Sequence, residues 1–149
     1  MAYTTPIYDR TTANVTSART NQASSTNLKG ALNISDLNRI EANIEYLQQQ
    51  LLRRGHHVDL EGNKTNWLMP DYIYLEDIDR IRQNVINLVN GYYDYLATPT
   101  ITLGNDNLLV GDINDLEKVI FDINEILERM VAYFRYCGTF YSAQGVILP

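Results

Sequence analysis

The chain's two histidines are adjacent, His56 and His57. Neighbouring side chains point apart on a helix or a strand, so the pair is a poor chelate for a metal such as zinc. Just downstream, Asp59, Glu61 and Asn63 alternate like the first ligands of a calcium loop. The sixth-position glycine and closing bidentate glutamate of such a loop are missing. Gly104, Asn105, Asp106 and Asn107 offer carbonyls and one carboxylate, but their composition is that of a polar turn. The single cysteine, Cys137, excludes an internal disulfide and a thiolate metal site, and no base neighbours it. There is no glycine-rich phosphate loop and no H-E-x-x-H. Three N-x-[ST] triplets, at Asn14, Asn33 and Asn63, carry no weight in a chain whose first residues contain no export signal. The sequence therefore predicts no catalytic residue, no metal site and no cofactor.

What it repeats is a helix start. "SDLNRIE" at 35–41, "EDIDRIR" at 76–82 and "GDINDLE" at 111–117 share one pattern of acid, aliphatic and charged residues. Each opens a run whose apolar residues fall at offsets 0, 3, 7, 10 and 14. The first run has Leu37, Ile40, Ile44, Leu47 and Leu51; the second has Ile78, Ile81, Val85, Leu88 and Tyr92; the third has Ile113, Leu116, Ile120, Ile123 and Leu127. That spacing is a narrow stripe on an otherwise wet helix, with the charged residues on solvated faces. Asp36, Asp77 and Asp112 put a negative charge in each first turn, where free amides and the helix dipole favour it. The spacing predicts helices over about 34–53, 75–93 and 110–136. Gly55 suits the end of the first. The third carries further apolar residues, among them Val119, Phe121, Ile126, Met130 and Phe134, so it is either central or turned toward another subunit.

The expected fold class is mainly α: a three-helix antiparallel bundle with long ordered loops. An extended N-terminal arm (1–28) precedes the helical domain (29–149), and a short extended segment follows Gly138. The arm is rich in Thr, Ser, Asn and Ala and has too few aliphatics to order itself. It is either a disordered tail or an arm ordered by a neighbouring subunit, anchored by Pro6, Ile7 and Tyr8. The connections, about 55–74 and 94–109, are long for a helical bundle. The first contains the only tryptophan, Trp67, expected to pack across the bundle end. The stripes alone are small against the entropy of ordering three helices, which points to assembly with partner subunits.

The chain has 149 residues, 45 % of them hydrophobic, and a net charge of −6. An acidic chain gains nothing from a phosphate backbone, so nucleic-acid binding is not expected. No apolar run approaches the roughly 20 residues of a membrane span, so no insertion is expected. Tyrosine is abundant, at 11 residues, and "YFRYCGTFY" at 133–141 gathers rings around a guanidinium, the composition of an interface anchor. Tyr133, Tyr136, Phe140 and Tyr141 join Pro6, Ile7, Tyr8 and Trp67 as candidate interface residues.

One order of segments is familiar: "KGALNISDLNRIEANIEYL" (29–47), the Trp67 loop leading to "EDIDRIRQNV" (76–85), "TP" (98–99), "DINDLEKVIFDINEIL" (112–127) and "RYCGTFYSAQ" (135–144). It resembles tail-associated structural proteins of phages and prophages of Gram-positive bacteria. Their pattern is K-G-A-(Y/F/L)-N-x-x-D-L-N-R-(I/V)-E, a Trp, a second helix, a T-P loop, an N-x-I-E-x-I-L helix and an R-Y-S-G-x-x-Y-S-G ending. Here Cys137 replaces a serine of that ending, and Ala143-Gln144 replaces the glycine after Ser142. The resemblance covers about residues 29–144. It implies a virion protein, assembled in the bacterial host cytoplasm, that attaches to other tail, baseplate or fibre proteins in several copies. Two other expectations remain: a host-surface module whose Tyr136 and Tyr141 stack on cell-wall glycan, and a small regulatory or anti-defence protein of infection.

Overall fold

The computed structural model describes residues 2–20, 29–68, 71–91, 99–103 and 108–144, with side chains as far as residue 131. The described residues form four helices and no strand: α1 (Thr12–Thr20), α2 (Ile34–Arg53), α3 (Leu75–Gly91) and α4 (Val110–Gln144). The protein is mainly helical, and α2, α3 and α4 pack pairwise against one another. All stripe residues from Leu37 to Leu88 and from Ile113 to Leu127 are buried in one cluster, joined by Val58, Trp67 and Val119. Tyr92, the last residue of the second stripe, lies outside the described residues.

The repeated aspartates cap their helices. Asp36 accepts from the Asn33 amide at 3.2 Å, Asp77 from the Tyr74 amide at 3.0 Å and Asp112 from the Leu109 amide at 2.8 Å. At α2, Asn33 returns the bond to the Asp36 amide and closes a full capping box. Gly55, at φ +86°, ends α2, with the Gly55 amide on the Leu52 carbonyl and the His56 amide on the Leu51 carbonyl.

The helices run in the same direction, which corrects the expected antiparallel arrangement. Early in α2, Glu41 meets Arg80, early in α3; later in α2, Gln48 bonds Val58, which lies against Gly91 at the end of α3. Likewise Arg39 meets Glu117 near the start of α4, and Arg54 reaches the Leu127 carbonyl further along it. Parallel neighbours explain the long connections. A helix of 20 residues climbs about 30 Å, and the chain needs about nine extended residues to return. Residues 56–68 run back as an extended strap in the groove between α2 and α3.

The N-terminal segment is a second strap and also a correction. Residues 2–10 are extended, but they lie along their own chain's α2 and α4, and 12–20 form α1 where an extended arm was expected. Polar bonds to buried side chains hold it, which apolar counting does not register. Thr11 and Asn14 cap α1 reciprocally, and Ala18 is buried beneath it. Gly30 lies so close to α1 that a Cβ there would overlap the Asn14 carbonyl and the Val15 amide. Gly30→Ala is therefore expected to displace α1 and cost about 1–3 kcal/mol in urea unfolding, with proteolytic cleavage appearing near Thr12–Thr20.

α4 continues to Gln144, so the expected end near 136 and the extended segment after Gly138 are also corrected. A single glycine costs a helix only about 1 kcal/mol, and no proline interrupts residues 111–144.

Candidate functional site

The buried polar side chains cluster where the three repeats begin. The last letter of each heptapeptide is Glu41, Arg82 or Glu117, and all three are buried, so the expectation of solvated charged faces fails for them. Glu41 and Glu117 lie beside the apolar stripe and under a strap, where the strap's amides and a neighbouring guanidinium replace water.

Glu117 accepts the Ile7 amide at 2.6 Å and both Arg39 Nε (3.2 Å) and Nη2 (2.7 Å); Arg10 Nη1 stands 2.9 Å away. Asp36 pairs with the same two arginines, at 3.1 Å to Arg10 and 2.6 Å to Arg39. Two cations and two anions alternate in a neutral cluster closed over by the first strap. Burial works against the Arg39 charge, but Glu117 and Asp36 outweigh it and hold the guanidinium above its usual range. Arg10 also donates to the Ile7 carbonyl, turning the strap back on itself.

Glu41 repeats this arrangement under the second strap. It accepts the Lys64 amide at 2.5 Å, Trp67 Nε1 at 2.9 Å and a two-pronged Arg80 guanidinium at 2.8 and 2.9 Å. The hydrogen bonds that Arg80 donates to Glu41 are the main cause holding its guanidinium above the usual range. The fifth letter of one repeat thus reaches the seventh letter of another: Arg80 to Glu41 and Arg39 to Glu117. The second repeat reverses the sign, with Arg82 as seventh letter pairing to Asp79 at 3.0 Å and lying 3.9 Å from Asp112. Asp115, the fifth letter of the third repeat, is pushed up by burial and by the Asp112 charge.

Four asparagines each clamp one strap residue by both amide and carbonyl. Asn43 holds Thr4, Asn114 holds Arg10, Asn38 holds Trp67 and Asn84 holds Glu61. A side-chain amide offers the same donor and acceptor as a peptide group, so it can pair extended backbone where no strand is available.

Three of the candidates for chemistry take part in this scheme. Asp59 and Glu61 use their backbone carbonyls on Asn87 and Asn84, and Asn63 donates to the Glu41 carbonyl. His57 is exposed, 3.5 Å from Asp59. Among the described residues no group of three or more His, Cys, Asp or Glu could hold a metal ion. Residues 104–107 and the Cys137 side chain lie outside the described residues.

Of the candidate interface residues, Pro6 is buried and Ile7 half-buried, while Tyr8 lies half-buried against Phe121 with ring centres 5.2 Å apart. Trp67 is buried, with Lys64 Nζ 3.9 Å from its ring centre. These four side chains are engaged within their own chain. Tyr133, Tyr136, Phe140 and Tyr141 lie on α4, but their side chains are outside the described residues. The exposed large apolar residues lie elsewhere, notably Leu68 and the run Tyr72–Leu75 at the start of α3. "YIYL" before a helix was the available signal, hidden because the loop that holds Trp67 was expected to pack across the bundle end.

Tyr3 packs on Tyr46 at 5.6 Å, and its buried hydroxyl has no hydrogen-bond partner among the described residues. Burial first, then the Glu128 charge, push its ionisation far above the usual tyrosine value. The unfolded chain ionises near pH 10, so the stability tied to neutral Tyr3 is full below pH 10 and is lost above it. Tyr3→Phe should gain about 1 kcal/mol at neutral pH and flatten the alkaline loss, read by urea titration from pH 8 upward.

No helix among the described residues is long and apolar enough to cross a membrane. The chain matches no family model, no curated protein and no solved structure.

Proposed function

We propose that the protein is a non-enzymatic structural component of a phage virion, a tail, baseplate or fibre-attachment adaptor that works through subunit interfaces in several copies. In this reading α2, α3 and α4 make a three-helix bundle, and α1 is an appendage on it. The observation that carries the proposal is the use of the repeated heptapeptides. Their polar residues, Ser35, Glu76 and Asp115 apart, cap helices, clamp straps or fill buried ion pairs, and the first repeat is also the clearest mark of the resemblance to tail-associated proteins. A chain that spends its charged residues on shape suits a scaffold. The exposed apolar run at the start of α3 gives such a scaffold a surface to attach by.

Mass spectrometry of purified particles is expected to find the protein at a fixed ratio to the other tail proteins, and mass photometry to find it in complexes with them. Its absence from particles would return it to the class of regulatory or anti-defence proteins.

The exposed rings of Tyr72 and Tyr74 favour a second reading, recognition of cell-surface glycan by ring stacking. Co-sedimentation with isolated cell walls, lost in Tyr72→Ala and Tyr74→Ala, would move the assignment there.

A further inference from the structure

The helix-start end of the protein carries an apolar run that its own fold leaves open. Tyr72 is 80 % exposed, Tyr74 65 %, Leu68 62 %, Leu75 43 % and Ile73 41 %. Together they present on the order of 500 Å² of largely apolar surface, near the upper end for the largest patch on a monomer. The run is held in place at both ends. Trp67 is clamped by Asn38 and Glu41, Asp71 accepts the Leu68 amide at 3.0 Å, and Asp77 accepts the Tyr74 amide. A held surface loses little freedom when a partner covers it.

The charge beside this run has one sign. A cavity of about 340 Å³ is lined by Glu61, Glu76, Asp79, Arg80, Gln83 and Leu103. Arg80 is committed to Glu41 and Asp77, and Lys64 to Asp71. Glu61 and Glu76, both exposed, form no ion pair among the described residues. The open charge next to the apolar run is thus negative, and the nearby cations are occupied.

We propose that Leu68 and residues 71–76, with the Glu61–Glu76 cavity, dock a segment of a partner protein that brings apolar side chains to the tyrosines and a lysine or arginine to the cavity. A second copy of this chain fits poorly. A two-fold contact sets the same patch against itself, and Glu61 and Glu76 would then face their own kind. The proposal deepens the adaptor reading and rests on it.

A short synthetic peptide of alternating leucine and lysine is the probe, with leucine–glutamate and serine–lysine peptides as controls. In titrations followed by backbone amide NMR, the leucine–lysine peptide is expected to shift residues 68, 71–76, 61 and 79. Both controls should bind at least about tenfold more weakly, and added salt should weaken the binding. The double change Glu61→Lys with Glu76→Lys, and separately Tyr72→Ser with Tyr74→Ser, should each reduce affinity about tenfold or more with thermal unfolding unchanged. Equal binding of the leucine–glutamate peptide would overturn the proposal, as would shifts centred elsewhere. So would concentration-dependent self-association abolished by the tyrosine changes, which would make the occupant a second copy, or cell-wall binding abolished by them. Particle proteomics tests the adaptor role separately, so the surface and the role can fail independently.

Discussion

Glu117→Ala is expected to unfold most of the protein's margin of stability. The side chain is fully buried and answers three positive or donor groups at once: Arg10, Arg39 and the Ile7 amide. Removing it leaves two guanidinium groups sharing Asp36, plus an amide with no acceptor. Breaking a buried pair in this way typically costs about 3–5 kcal/mol, against a total of roughly 5–15 kcal/mol for a domain. Because the alanine variant is at risk of not folding, Glu117→Gln is the companion: it keeps the shape and an acceptor for Ile7 but removes the charge. It should lose about half as much. Urea unfolding measures both, and hydrogen exchange locates the damage. Amides of residues 4–10 should lose protection first, since the first strap hangs on this carboxylate. If Glu117→Ala costs under about 1 kcal/mol, the alternating cluster is not what holds the strap.

Trp67→Ala should be comparably severe, through a different mechanism. Trp67 is the largest side chain in the core cluster, and its loss leaves a cavity between the second strap and α2. Large aromatic truncations cost about 3–5 kcal/mol. Trp67→Phe separates packing from bonding, since it keeps most of the ring while losing the Nε1 donor to Glu41. The expected loss is about 1–2 kcal/mol, with the strap still in place. Chemical unfolding of the two variants side by side tests this. A phenylalanine variant as damaged as the alanine one would mean that the bond to Glu41, and not the filled space, dominates.

Two acidic pairs give the opposite pH sign to Tyr3. The Lys64 hydrogen bond holds Asp71 below the usual carboxylate range, and that from Lys29 does the same for Asp9. Their stabilisation is present above the ordinary carboxylate value and fades as pH falls through the lowered ones.

Helix existence was legible because each stripe is a short-range pattern. Ile34–Arg53 matches its expected span to the residue, and α3 begins at Leu75 as the spacing required. Helix direction was not legible, because a stripe looks the same whichever way its neighbour runs. The one clue lay in the connections: residues 55–74 are too many for a turn and about right for a return. Buried charge was hidden for a related reason. Glu41 and Glu117 flank the stripe, and on a lone helix that position is wet; only a strap laid over it makes it dry. The signal was their shared place as last letter of a repeat, which periodicity of hydrophobic residues does not weigh. The arm was misread because Thr4, Ile7 and Arg10 contribute backbone groups to asparagine and glutamate partners, and composition counts side chains.

The bond between Ile7 and Glu117 joins residues 110 apart, and it sets an order of events during synthesis. The first strap leaves the ribosome before any of its partners. At about 5–20 residues per second, its glutamate follows about 6–22 seconds later. For that interval the first strap has its α2 partners, Asn43 and Asp36, but not those on α4, while α2, the second strap and α3 can already close on Glu41 and Trp67. The attachment of the first strap to α4 is therefore the last latch to close.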